Sequence, residues 1–298
     1  MREDIRKIQE MMEAAEYVTD APVATSVHLA MRLRKPLLIE GPAGVGKTEV
    51  AKVMSRMLGT NLIRLQCYEG LDASTALYEW NYQKQLLHIK LEESSHDSRA
   101  MVDKEHEIFS EPFLLRRPLL QAITQESQSP VLLVDECDRA DEEFEAFLLE
   151  VFSDWQVTIP EIGTIKATHP PYVILTSNRT RELSDALRRR CLYLWLDYPS
   201  PDKEIRIIAR KVPGINGRLA REIAKFMETL RQVRLAKVPG VAETLDWAQA
   251  LASLHADHID EALVGETLGC VLKDVDDMKR FRAEVGKTGL AAFLPTPS

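Results

Sequence analysis

The octapeptide Gly41-Pro42-Ala43-Gly44-Val45-Gly46-Lys47-Thr48 stands directly after the apolar run Pro36 to Ile39. Its pattern, GxxxxGK[ST] between a strand and a helix, restricts the chain to α/β architectures that deliver a loop to a helix N-terminus. Gly41, Gly44 and Gly46 allow positive φ and close approach of the backbone. Successive N–H groups and the positive end of the following helix then make a cradle for an anion. A triphosphate suits such a cradle. All eight residues are expected to contact ATP, with Lys47 on the β- and γ-phosphates and Thr48 on Mg²⁺. Average residue frequencies give a chance match of roughly one per cent in a chain of this length, so an ordinary glycine turn is the poorer explanation.

Three further segments complete the chemistry. "VLLVDE" is an apolar strand that carries Asp135 and Glu136 to its carboxyl end, where open α/β sheets bind their ligands. Asp135 is expected to hold Mg²⁺, and Glu136 to orient and deprotonate the attacking water. "YVILTSN" is another strand, ending in Asn178, whose amide suits the lytic water or the γ-phosphate. "DALRRRC" sets Arg188, Arg189 and Arg190 just ahead of the apolar run "CLYLWL". "DECD" also matches the second motif of superfamily 2 helicases, but those enzymes need a second parallel-sheet domain, and the remainder here is short and helical in pattern. No NKxD guanine-reading motif is present.

The rest of the chain fits this frame. Short apolar runs at Pro36–Ile39, Leu62–Leu65, Val131–Val134, Tyr172–Leu175 and Leu192–Leu196 alternate with helix-length segments, which predicts a parallel sheet covered on both faces. Helices are expected from Glu3, where Ile5, Ile8, Met12 and Ala15 recur, and from an Asp141 cap, with Phe144, Phe147, Leu148, Val151 and Phe152 in one stripe. "DYPSPDKE" marks a boundary, with Ser200 capping a helix that has Pro201 in its first turn. The expected division is an α/β domain over 1–198 and a small all-α lid over 199–298, the lid built from helical patterns at 205–212, 219–233, 244–254 and 263–272.

Charge and cysteine usage exclude other classes. The formal charge of −8, from 38 basic and 46 acidic residues, supplies no global positive field for nucleic acid. Cys67, Cys137, Cys191 and Cys270 are too widely spaced for a metal knuckle or a disulfide framework. No signal-peptide core and no membrane-length apolar window is present, so a cytoplasmic chain is expected.

The order of GPAGVGKT, VLLVDE, TSN and ALRRRC ahead of a helical lid resembles an AAA+ ATPase. "CYEGLDASTALYEWNY", "FLLRRPLLQA", "DRADEEFEAFLLE", "TIPEIGTI" and "TSNRTREL" resemble the MoxR family, and within it the CoxD-like branch. The resemblance runs from about Ala21 to Leu290. It implies ATP hydrolysis in a homo-oligomeric ring, most simply a hexamer, with Arg190, or in its place Arg189, as a finger reaching the neighbouring subunit's nucleotide. It also implies a chaperone-like remodeller that assembles or activates a metalloenzyme client, such as a molybdenum hydroxylase of the carbon monoxide dehydrogenase kind. A separate von Willebrand factor A protein would be its partner. Leu77 to Phe113 would be a helix-2 insert, and Trp155 to Ala167 a pre-sensor-1 hairpin. Many members of the family carry a sensor-2 arginine near the start of a lid helix, where "VPGVAETLDW" offers Glu243 and Thr244, and no residue is assigned to that role. Two other functions stay open from the residues alone, a nucleic-acid motor or loader and a nucleotide-gated scaffold with little turnover.

Some features have plainer readings. Tyr68-Glu69-Gly70 matches the aromatic-x-glycine of threading loops but suits an ordinary contact surface, and Trp80 and Tyr82 are similar. His255 and His258 are expected on one helix face, where two histidines without further ligands form a solvated surface.

Overall fold

The computed structural model describes residues 2–94 and 107–295. Part of the insert expected from Leu77 to Phe113, residues 95–106, lies outside them. Elements follow in the order α1 (Arg2–Ala14), α2 (Ala21–Leu33), β1 (Leu37–Glu40), α3 (Lys47–Leu58), β2 (Leu62–Gln66), α4 (Ala73–Leu77), β3 (Tyr78–Trp80) and α5 (Tyr82–Ser94). Next come β4 (Leu114–Arg116), α6 (Pro118–Ile123), β5 (Val131–Asp135), α7 (Glu142–Asp154), β6 (Gln156–Ile159), β7 (Gly163–Lys166), β8 (Tyr172–Ser177), α8 (Asp185–Arg190) and β9 (Leu192–Trp195). Among the described residues, five α-helices follow: α9 (Pro201–Lys211), α10 (Gly217–Leu230), α11 (Val241–Ser253), α12 (Glu261–Val271) and α13 (Val275–Thr288).

Five strands form one sheet in the order β2-β5-β8-β1-β9, with flanking helices, as the alternating pattern predicts. The β2/β5, β5/β8 and β1/β8 pairs are parallel, so the carboxyl ends of these strands share one edge. Burial follows position in the sheet. Every residue of interior β5 is buried, which explains its unbroken apolar run, whereas edge strand β2 alternates with Arg64 and Gln66 exposed. Two antiparallel pairs stand apart from this sheet: β3 with β4, and β6 with β7, the hairpin expected between Trp155 and Ala167.

Two compact units divide the residues. The first comprises Met1–Ile8, Pro22–Glu40 and Ala51–Leu194, and the second Gln9–Ala21, Gly41–Val50 and Trp195–Ser298. In the first, Leu132, Val134, Leu148, Leu175 and Leu187 lie in one apolar core. α7 begins as its sequence requires, with the Asp141 carboxylate accepting from Phe144 N at 2.8 Å and three glutamates in the first turn at the positive helix end. The second unit has a core of its own around Phe226, whose ring lies 4.7 Å from Trp247 and 5.6 Å from both Phe281 and Phe293. Ser200 caps α9 with Pro201 in its first turn, and α10 buries Leu219, Ile223, Phe226, Met227 and Leu230 at helical spacing. One expectation fails here. α11 stops at Ser253, and His255, in left-handed backbone at φ 55°, and His258 lie in the turn beyond it, on no helix face. Among the described residues no group of histidine, cysteine and acidic side chains could hold a metal ion, and no helix is long and apolar enough to cross a membrane.

Candidate active site

The sheet's carboxyl edge assembles the acids in the first unit. Register pairs Asp135 with Gln66 of β2, and Val134 with Leu175 of β8. Adjacent chains therefore supply the partners. Asp135 is buried; Oδ1 accepts from the Thr176 hydroxyl at 2.5 Å, and Oδ2 from Arg64 through Nε at 3.0 Å and a terminal nitrogen at 2.5 Å. Thr176 accepts in turn from Glu136 N at 2.9 Å, so one hydroxyl fixes both acids.

Glu136 has left-handed backbone, φ 55° and ψ 48°, which a non-glycine residue adopts at a cost of about 1 kcal/mol or more and which turns its side chain off the end of the strand. Its carboxylate accepts from Gln66 Nε2 at 3.2 Å, pairs with Arg139 Nε at 3.0 Å, and lies 3.5 Å from Asn178 Nδ2. The structure thus brings together Asp135, Glu136 and Asn178, as the sequence leads one to expect. The candidate base is thus held in place by donors on two sides.

Asn178 is itself positioned by residues that the motifs did not mark. Asp138, buried, takes Asn178 N at 3.2 Å, Thr180 N at 2.8 Å and the Thr180 hydroxyl at 2.7 Å on one oxygen. Buried Glu145 of α7 accepts from Ser184 N at 2.8 Å and forms an ion pair with Arg181. Glu40, at the end of β1, is buried too; Tyr193 donates to it at 3.0 Å and Arg179 lies 3.7 Å away. These partners come from strands far apart in sequence, and only sheet order shows that they meet.

The three arginines differ. Arg190 donates to the Leu149 carbonyl at 2.8 Å and to Ser153, both on α7. Arg189 is 82% exposed, and its guanidinium lies 3.9 Å from Asp185 of its own helix. The Arg188 guanidinium lies 5.9 Å from the Tyr193 ring centroid.

The phosphate loop belongs to the second unit. Gly44 and Gly46 have φ of 76° and 95°, values that L side chains rarely adopt, and the space beside Gly46 is open, with nothing within 4 Å of where a Cβ would stand. Gly41 faces the Leu196 carbonyl, 2.0 Å from where its Cβ would be. Lys47 Nζ donates to the carbonyls of Gly41 at 2.8 Å and Pro42 at 2.6 Å. A buried ammonium folded onto its own loop, and glycines at positive φ with open space beside Gly46, fit an anionic ligand. Thr48 in the second unit carries a hydroxyl and Asp135 in the first a carboxylate, both hard oxygen donors of the kind Mg²⁺ prefers. Glu243 accepts from Gly240 N at 2.8 Å, and the Thr244 hydroxyl donates to Glu204 at 2.6 Å.

Other singled-out residues take ordinary places. Tyr68 and Tyr82 are exposed, and Trp80 is buried in an edge-to-face pair with Phe109 at 5.2 Å. Burial pushes the Cys67 and Cys191 thiols up to about 12, and Cys137 well above its usual value, so these are packing residues and not nucleophiles.

Comparison with known proteins bears on the fold and the family. The chain is 24% identical over 228 residues to an uncharacterized protein of Staphylococcus epidermidis, covering 74% of this chain and 78% of the relative. It is 25% identical over 243 residues to one of Staphylococcus haemolyticus, covering 79% and 82%. Among solved structures, an alanine-to-serine mutant of Thermotoga maritima RuvB superposes with a TM-score of 0.52 at 20% identity, covering 92% of this chain and 77% of that one. A lysine-to-arginine mutant of the same protein gives 0.52 at 19% identity, covering 94% and 79%. At that identity the likeness is one of fold. The model of the AAA domain, dynein-related subfamily, matches residues 36–191, more than half of the sequence, and the chain therefore belongs to that family.

Proposed function

We propose that the protein is an ATPase that hydrolyses ATP to ADP and phosphate and uses the cycle to remodel another protein. The observation that carries this reading is the convergence of Asp135, Glu136 and Asn178 on one sheet edge, in a chain whose phosphate loop is folded and carries Lys47. When bound, Mg²⁺ would be held by Thr48 and Asp135 and would neutralise phosphate charge. The chain's own residues do the rest. Gly41 to Thr48 wrap the triphosphate, and Lys47 exchanges its loop carbonyls for phosphate oxygens. Glu136 takes the proton of the attacking water, and Asn178 orients that water. Domain boundaries of 1–198 for the ATPase part and 199–298 for the lid belong to the same proposal.

Rings are common among AAA+ proteins, and a homo-oligomeric ring, most simply a hexamer, fits a finger donated in trans. The exposure of Arg189 supports it in that role, whereas Arg190 would first have to leave Leu149 and Ser153. The MoxR-like and CoxD-like phrases support a chaperone-like role with a von Willebrand factor A partner and a metalloenzyme client such as a molybdenum hydroxylase. Neither rival gains from the site: net charge opposes a nucleic-acid motor, and the intact Lys47, Glu136 and Asn178 oppose a silent scaffold. Affinity purification of a Glu136→Gln trap from its native cell tests the reading. Recovery of a metalloenzyme with nucleotide on the trap supports it, and recovery of DNA-processing proteins with DNA-stimulated turnover of the wild type overturns it.

A further inference from the structure

We infer that the first turn of α11 sets the phosphate loop for its anion, and that Gly240 and the buried Arg231–Glu204–Thr244 cluster are positioning residues for nucleotide binding. The inference rests on the ATPase reading above and concerns contacts within the second unit.

The Gly44 carbonyl accepts from Val241 N at 2.9 Å and from Ala242 N at 3.3 Å. Helix N-termini leave several N–H groups without intrahelical partners, and here two of them are used on the loop. A trans peptide is planar, with its C=O and the next N–H pointing opposite ways. Holding the Gly44 oxygen against α11 therefore turns the Val45 N–H away from it. Among the described residues that N–H has no hydrogen-bond acceptor. An unpaired amide turned away from the helix in a glycine nest is what a phosphate oxygen would satisfy.

This contact needs a glycine for room. Gly240 has φ −91°, open to any residue, yet a Cβ there would stand 2.7 Å from Gly44 Cα and 2.8 Å from the Ala43 oxygen. These neighbours are backbone atoms and cannot swing aside. The Glu243 carboxylate, which accepts from Gly240 N, closes the turn from the other side.

A buried charge cluster fixes the approach. Arg231, 6% exposed, binds Glu204, 1% exposed, through two nitrogens at 2.7 Å each. Thr244 joins both, accepting from Arg231 at 3.1 Å and donating to Glu204 at 2.6 Å. Arg231 Nε also donates to the carbonyl of Pro239, the residue before Gly240, at 3.0 Å, and the guanidinium lies 4.9 Å from the Tyr198 ring centroid. Bidentate geometry makes the cluster directional, so it specifies where Pro239 and Gly240 stand more than it adds stability.

The test compares full-length wild type with Gly240→Ala, Val241→Pro and Arg231→Lys by titration with a fluorescent ADP in Mg²⁺ and by hydrogen exchange at 241 and 242. Val241 is the first helical residue, where proline is tolerated, so Val241→Pro deletes one N–H and leaves α11 able to form. It stands in if Gly240→Ala does not fold. Expected are a dissociation constant raised roughly tenfold in Val241→Pro and more in Gly240→Ala, with kcat at saturating ATP changed less than twofold. Arg231→Lys, which keeps the charge but loses the fork, should fall between wild type and Gly240→Ala. Nucleotide should slow exchange at Val241 and Ala242 in the wild type, because coupling is reciprocal. If the wild type binds ADP and the folded variants bind it within twofold, the inference falls alone. If the wild type itself binds no ADP, the ATPase reading falls and takes this inference with it.

Discussion

The phosphate loop and the sheet-edge carboxylates serve one proposed reaction but are held in opposite ways. Backbone holds the loop: carbonyls receive Lys47, Val241 and Ala242, and glycines at 41, 44 and 240 allow chain to touch chain. Side-chain charge holds the edge, where Arg64 and Thr176 saturate Asp135, and Gln66 and Arg139 engage Glu136. Backbone fixation tolerates changes of charge but not of volume. Charge fixation does the reverse, and this contrast orders the expected effects of mutation.

The largest effect belongs to the edge. Glu136→Gln keeps shape and removes the base, so turnover should fall roughly 10²- to 10⁴-fold while nucleotide affinity stays within a few-fold. Steady-state assay with binding titration checks this, and equal losses in both would erase the contrast. Next is Gly41→Ala. A Cβ 2.0 Å from the Leu196 oxygen forces backbone to move, and ADP binding should weaken by roughly two orders of magnitude or more, with little dependence on salt.

A smaller effect sharpens the contrast. Arg64 is half-exposed and competes for the carboxylate assigned to Mg²⁺. Arg64→Ala should lower the Mg²⁺ concentration for half-maximal activity several-fold, at a stability cost of about 1 kcal/mol or less. A Mg²⁺ titration of the variant would expose the opposite shift. Asp277, in the second unit, tests charge fixation away from the site. Ala236 N, Lys237 N and Arg280 hold its carboxyl below the usual range. A depressed folded pKa contributes stability above the unfolded value near 3.8 that is lost as pH falls through the folded value. Thermal melts of wild type should therefore drop faster below about pH 4 than those of Asp277→Asn, which itself costs roughly 1–3 kcal/mol at pH 7. The smallest effect concerns thiols. With pKa about 12, Cys67 and Cys191 carry a thiolate fraction of about 10⁻⁴ at pH 8, so native alkylation should be slow there and fast in guanidinium.

The same contrast explains what could be read from the chain. Loop geometry is written locally: GPAGVGKT specifies φ, donors and helix start within eight residues. Asp135, Glu136 and Asn178 were legible because each ends an apolar run at a strand's carboxyl end. Their holders were not. Arg64 and Gln66 bear on Asp135 and Glu136 only because β2 lies beside β5, and Asp138 reaches Thr180 only through the β5/β8 register. The run Leu62–Leu65 predicted a strand at β2 without showing that it lies at the sheet edge or what its exposed polar residues would meet. α13 escaped because few of its residues, Asp277 and Phe281 among them, are buried, too sparse for a periodic stripe. His255 was misplaced because the left-handed turn that ends α11 has no glycine to announce it.

α8 has no hinge of its own. Its N-terminal cap is tied to Glu145 and its last residue to Leu149 and Ser153, so both ends are strapped to α7. α7 passes through Trp155 directly into the β6–β7 hairpin, and Ala167 N bonds back to the Trp155 carbonyl at 2.8 Å. Hairpin, long helix and arginine-bearing helix are therefore joined in series by hydrogen bonds, which gives the β6–β7 hairpin a bonded route to the three guanidinium groups.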